Sequence, residues 1–238
     1  VIVSAMLSVA ANGLIAVASK FSAIYTTFFS IFNTSWTEQV VLHYKDAGGK
    51  KYVSNMFEQM VTFFGCVAIG IIACMPFVFN ILVDSKFQFA YGLVPFYMIA
   101  VFFNAVIGMI SAIYLIENET KNVAISTAVA AVINIVVNIL LIKRIGEYAA
   151  PVSSICGYAV ISFWRLIDVN KRHCKITMRA RNILILVIMG TVTTVVYYTN
   201  NYFVQFIMFF IVAIGSIFAN RELLCFFLSP IIRKVKSK

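Results

Sequence analysis

Long uncharged runs divide this chain. No Lys, Arg, Asp or Glu occurs in 1–19, 21–37, 59–83, 87–116, 122–142, 148–164 or 182–220. A helix needs about 20 mainly apolar residues to cross the hydrocarbon core of a bilayer. The runs therefore predict spanning helices at roughly 11–42, 53–82, 88–116, 122–142, 147–169, 182–199 and 203–220. The last run is about twice the length of one crossing, and Thr199-Asn200-Asn201 interrupts it with turn-forming residues. The expected organisation is the end of a preceding helix at 1–9, five helices in 10–169 and a basic loop at 170–181. Two further helices in 182–228 and a basic tail at 229–238 complete it. The chain begins Val-Ile-Val, in mid-run and with no signal-peptide layout, so a C-terminal portion of a longer protein is expected.

Composition narrows the class. The 238 residues are 62% hydrophobic, 15% aromatic and 12% charged. A soluble domain is about 45–50% apolar and about 25% charged, so there are too few charges to clothe a soluble surface. Disorder needs the opposite balance. Membrane barrels alternate apolar and polar residues in segments of about ten, whereas these runs are continuous. The fold class is all-α, a polytopic transmembrane helix bundle.

Lys and Arg set an orientation. With alternate loops assigned to one side, thirteen of the nineteen fall on the side that carries Lys45, Lys50, Lys121, Arg179 and the tail Arg233–Lys238. Lys86, Lys143 and Arg144 fall on the other. The positive-inside rule makes the first side cytoplasmic, with the C-terminus. Basic loops against anionic membrane lipid account for the net charge of +10 without nucleic acid.

Catalytic patterns are missing. The five cysteines lie at 66, 74, 156, 174 and 225, without metal-ligand spacing. Among nine acids only Glu117 and Glu119 are close together, and with Lys121 they read as a solvated turn. His43 and His173 both fall in loops and read as solvated. No phosphate loop or nucleophile elbow occurs. No cofactor, metal set or enzymatic activity is expected.

Polar residues inside the spans are costly in lipid and mark either a cavity or a helix contact. Lys20, Thr27, Thr34 and Glu38 lie at offsets 0, 7, 14 and 18, one face of a helix. Lys20 is the candidate cation for an anionic substrate, with an interfacial position as the alternative. Tyr97, Asn104, Gly108 and Ser111 make a second stripe, and Thr127, Asn134 and Asn138 a third. They are candidates to line a cavity or to bond helix to helix. Arg165 and Asp168, three apart, are placed to pair with each other, or Arg165 to hold an anionic headgroup at the cytoplasmic face. Pro76 and Pro95 are placed to bend their spans.

Several segments together resemble one family. Ala11-Asn12-Gly13-Leu14-Ile15-Ala16-Val17-Ala18-Ser19-Lys20-Phe21 is similar to the N-G-x-Y-A-V-A-x-K-F-P segment of bacterial polysaccharide flippases. These are the O-antigen or oligosaccharide-repeat translocases of the multidrug/oligosaccharidyl-lipid/polysaccharide exporter superfamily. Phe32-Asn33-Thr34-Ser35-Trp36, Thr120-Lys121, Ile133-Asn134-Ile135-Val136-Val137-Asn138 and Gly146 through Tyr158 followed by Arg165 resemble later segments in the same order. Ile15 and Ser22 stand where the family has Tyr and Pro. The resemblance implies a two-lobed exporter fold, with this chain as the second lobe and the missing N-terminal lobe as its partner. It implies a substrate, undecaprenyl-pyrophosphate-linked oligosaccharide, moved across the bacterial cytoplasmic membrane for surface polysaccharide biosynthesis. Lys121 and Arg165 then lie at the cytoplasmic face. No ATP motif occurs, so a proton or sodium ion is the expected coupling ion, with Glu38 and Glu58 as candidate acids. Alternatives are a multidrug/cation antiporter or a peptidoglycan-precursor flippase of the same superfamily. A membrane-embedded polymerase or glycosyltransferase is disfavoured by the short loops near 83–89, 143–148 and 199–202.

Overall fold

A computed structural model describes residues 9–199, 201–221 and 223. The stub at 1–8, Asn200, Glu222, Cys225 and the basic tail lie outside the described residues. Seven helices follow one another: α1 (Val9–His43), α2 (Gly49–Leu82), α3 (Val94–Ile116), α4 (Thr120–Ile145), α5 (Ala149–Arg172), α6 (Ala180–Tyr197) and α7 (Tyr202–Ala219). A 3₁₀ stretch, Ser85–Leu93, leads into α3, and Gly146–Tyr148 joins α4 to α5. The described residues contain six helical segments long and apolar enough to cross a membrane. The longest, Thr120–Arg172, folds back at Gly146 into two helices, so the described residues form a polytopic all-α bundle.

Local chemistry sets the ends. Gly146 has φ +56 and ψ −129, a conformation open only to glycine, and turns the chain between α4 and α5. Gly48, φ +84, does the same before α2. Asn201 caps α7, its side chain accepting from the Phe203 and Val204 amides. Pro95 sits in the first turn of α3, where no helical N–H is lost, so it starts the helix and does not bend it. Pro76 does lie inside α2.

The core lies around α2 and α3. Phe57, Phe64 and Phe79 on α2 and Met98, Met109, Ile110 and Ile113 on α3 are fully buried. Of α2's most apolar stretch 61% is inside the fold, against 17% for α7. The outward sides of α6 and α7 are Ile, Val and Phe, as lipid contact requires. Trp36 anchors α1 to α3, donating from Nε1 to the Met109 carbonyl at 2.9 Å. Gly157 lets α5 approach α4: a Cβ there would stand 3.1 Å from the Ala130 carbonyl oxygen.

Contacts fix the directions. Phe57 meets Trp36 and Phe79 meets Phe21, so α1 and α2 are antiparallel. Ser162 bonds the Phe103 carbonyl and Tyr114 bonds Asp168, so α3 and α5 are parallel. One end of the bundle gathers Lys45, Lys50, Lys51, Lys121, Arg172 and Arg179; the other has Lys86, Lys143 and Arg144.

Candidate functional site

The open side of α1 carries a polar line set among exposed apolar residues, Ile24 and Ile31 on the same face and Phe28 and Phe32 beside it. Lys20, Thr27, Thr34 and Glu38 are all exposed on one face, joined by Ser30. Inside the membrane depth the hydroxyls bond their own helix: Thr27 to the Ala23 carbonyl, Ser30 to that of Thr27, Thr34 to that of Ser30. Such back-bonding satisfies a hydroxyl in a dry setting and leaves its lone pairs facing out. The two charges sit at the ends of the stripe. Lys20 is next to Phe21, which packs on Phe79 near the sparsely charged end. Glu38 lies two residues past Trp36, which packs on Phe57 near the basic end. A shallow groove beside Glu38 is lined by Asn33, Thr34, Thr37, Val41 and Leu42. The buried Asn33 Oδ1 has no hydrogen-bond partner among the described residues.

The third stripe faces a neighbour. Asn134 Nδ2 donates to Ser154 Oγ and Asn138 Nδ2 to Ser153 Oγ, each at 3.2 Å, across the α4–α5 contact. Asn104 is half-buried on α3, and Lys121 is exposed in the first turn of α4.

Arg165 does not pair with Asp168. It is 2% exposed and its guanidinium is held by hydroxyls and one carbonyl. Nε donates to Ser126 Oγ (2.9 Å), Nη1 to Ser111 Oγ (2.8 Å), and Nη2 to Thr127 Oγ1 (2.9 Å) and the Val123 carbonyl (3.0 Å). Asp168 instead takes Arg172 Nε at 2.9 Å and the Tyr114 hydroxyl at 2.8 Å. The i,i+4 partner Arg172 is the nearer rival for the carboxylate, and the α5 face bearing Arg165 is turned into the α3–α4 contact. The cation thus bolts three helices together.

Glu58 is the second buried charge. Its Oε1 accepts from the Arg179 amide (2.9 Å) and from Asn182 Nδ2 (2.8 Å), docking the start of α6 on α2. A cleft of about 70 Å³ opens beside it, lined by Gln59, Arg181, Asn220 and Arg221 among others.

The loops at the basic end are more ordered than their sequence suggests. Glu117 and Glu119 are half-buried, and the His173 side chain is only 9% exposed, so neither the acids nor the imidazole is a solvated loop group. Lys50 Nζ donates to the His173 carbonyl at 2.7 Å, and Cys174 Sγ lies 3.3 Å from the Lys50 carbonyl. Burial pushes the Tyr44 hydroxyl pKa up, and the Glu117 carboxylate adds to it. Burial likewise pushes up the Cys174 thiol, against the pull of Lys50. Comparison with family models, with curated proteins and with solved structures finds no match for this chain.

Proposed function

We infer that this chain is one lobe of a membrane transporter that moves a lipid-linked oligosaccharide between leaflets by alternating access. The observation that carries the reading is the open face of α1: an exposed polar stripe from Lys20 through Thr27, Ser30 and Thr34 to Glu38. Its hydroxyls bond their own helix, its charges stand at the two ends, and its remaining lone pairs face outward between them. It is suited to a water-lined passage between this bundle and another. The resemblance of the Ala11–Phe21, Phe32–Trp36 and Ile133–Asn138 segments to polysaccharide flippases supports the substrate class.

In this reading the basic end is cytoplasmic. Arg181, Arg221 and Lys121 attract the pyrophosphate there, and the hydroxyls of Thr27, Ser30 and Thr34 exchange hydrogen bonds with the sugars. Lys20 meets the pyrophosphate at the far end. The isoprenoid tail stays in lipid while two lobes rock about the passage. Glu38, exposed, is the acid open to a coupling proton or sodium ion, because Glu58 is occupied by Asn182 and the Arg179 amide. No bond of the substrate is made or broken.

The test is genetic and chemical. Cells lacking the protein that carries this chain accumulate lipid-linked repeats on the cytoplasmic leaflet and lose surface polysaccharide. Wild type restores export, and Lys20→Ala inserts normally but does not. Restoration by Lys20→Ala retains the transporter and removes Lys20 from its path. Normal polysaccharide with altered dye efflux overturns the substrate in favour of a drug exporter.

A further inference from the structure

Two turns that are far apart in sequence meet at the basic end, and they bring a histidine and carboxylates together. His173 ends α5 with its imidazole 91% buried, a complement of its 9% exposure. Its Nε2 is buried, has no hydrogen bond among the described residues and lies 3.4 Å from Glu119 Oε1. Its Nδ1 lies 3.9 Å from Glu117 Oε2. Asp168, on the same helix, completes the group: one donor atom each from Glu119, Asp168 and His173 all lie within 4.8 Å of one another.

A neutral imidazole has one N–H and one lone pair. Both ring nitrogens face carboxylates, so the neutral form sets one lone pair against anionic oxygen. A second proton or a metal ion at Nε2 resolves this, with Nδ1–H turned to Glu117 in either case, and metal titration separates the two. A tetrahedral zinc site has bonds of about 2.0–2.1 Å and hence ligand–ligand edges of about 3.3–3.4 Å; the Nε2–Oε1 separation is already of that length. The supporting contacts are also present. Tyr114 holds one oxygen of Asp168, and Asn122 donates to Glu119. Arg172 holds the other Asp168 oxygen and reaches Glu119 at 3.9 Å. At 57% exposure it is free to swing out as a metal enters.

We propose that Glu119, Asp168 and His173 form a binding site for a divalent transition metal of the zinc class, which clasps the α3–α4 turn to the end of α5. One imidazole with two carboxylates suits Zn²⁺, Mn²⁺ or Fe²⁺ over the alkaline earths. The site stands apart from the open face of α1 and is independent of the transport reading.

The test uses the protein carrying this chain, purified in detergent, stripped with chelator and titrated with Zn²⁺ against a chromophoric competitor. One Zn²⁺ binds per chain, Mg²⁺ does not displace it, and Co²⁺ in its place gives the visible bands of a four-coordinate site. His173→Ala and Glu119→Gln each weaken binding by about 100-fold or more, and Glu117→Gln by about 10-fold, the cost of an outer-shell partner. His43→Ala, at the only other histidine, and Cys174→Ser leave it unchanged. Metal-free melting curves show that each variant is folded. Where His173→Ala is not monodisperse, Glu119→Gln decides. No binding, or a site that survives His173→Ala or Glu119→Gln, overturns the proposal.

Discussion

Arg165 and Asp168 stand three residues apart on α5 and, among the described residues, are linked through Tyr114. The guanidinium lies over the Tyr114 ring at 6.0 Å, and the Tyr114 hydroxyl donates to Asp168. The cation's own hydrogen bonds go to Ser111, Ser126, Thr127 and the Val123 carbonyl. Bonds to a charged donor contribute about 1.5–3 kcal/mol each, and the acceptors left behind add a penalty. Allowing for non-additivity, Arg165→Ala costs about 2–4 kcal/mol in equilibrium unfolding in detergent. Arg165→Lys, a point donor without the planar fork, recovers less than half of that. Ser126→Ala alone costs about 1 kcal/mol. A loss under about 0.5 kcal/mol for Arg165→Ala removes the bolt from the account of the fold.

Lys20 and Thr27 touch no other helix by a hydrogen bond or ion pair among the described residues, so their replacement leaves stability within about 0.5 kcal/mol. Cysteines at 20, 27 and 34 are expected to react with a charged, membrane-impermeant thiol reagent in the assembled transporter. A cysteine at Ile214, on the apolar outward side of α7, is not. Uniform protection of the three α1 positions shows that this face is sealed against lipid or protein.

Gly157 separates two opposed effects. Alanine in a helix interior is favoured over glycine by about 1 kcal/mol. Overpacking costs about 1–3 kcal/mol, and a Cβ here lies 3.1 Å from a backbone oxygen and 3.5 Å from Asn134 Cβ. Gly157→Ala is therefore close to neutral, while Gly157→Leu separates α4 from α5. The larger variant is expected to lose at least about 2 kcal/mol and to lengthen a spin-label distance between the two helices.

Alkaline pH weakens the far end of the bundle. Tyr198, just past α6, donates to the Gly92 carbonyl at 2.7 Å. Burial raises its pKa, and Tyr148 and Tyr91 raise it further. The folded chain thus keeps a proton that the unfolded chain releases near pH 10. The stabilisation is whole below that pH and is lost as pH rises towards the folded value. Melting temperature falls from about pH 10 upward, and Tyr198→Phe lowers it at neutral pH and makes the alkaline decline shallower, since Tyr198 is one contributor among several tyrosines at this end. An equal decline in Tyr198→Phe assigns the loss to other groups.

Hydropathy made the all-α membrane bundle and the rough places of its described helices legible, because charge disappears wherever lipid is to be met. It placed the helix ends less well. α2 begins at Gly49, where Lys50 and Lys51 argue against lipid but not against a helix. The shared line of Lys20, Thr27, Thr34 and Glu38 was legible from its spacing, and the structure exposes it together with Ile24 and Ile31. Stripe positions also flagged Ser111 and Thr127, but not that both converge on Arg165. That required knowing which helices touch, since the partners lie 54 and 38 residues from it in sequence. His173 looked like a loop residue for the same reason: Glu117 and Glu119 reach it only once α3 and α5 lie side by side.

The long α2 also measures depth. Glu58 is level with the start of α6, through Asn182 and the Arg179 amide. Phe79 is level with its end, through the Tyr91–Tyr197 stack. From Glu58 to Phe79 the helical rise amounts to about 32 Å, matching a hydrocarbon core of about 30 Å. On that match the lipid–water planes are expected near these two residues. Gly49–Phe57 stands about 13 Å proud of the basic-side plane, a pillar in the headgroup and aqueous layers. Lys50, Tyr44 and His173 are gathered around its tip, so ions and soluble proteins reach that cluster without entering the membrane.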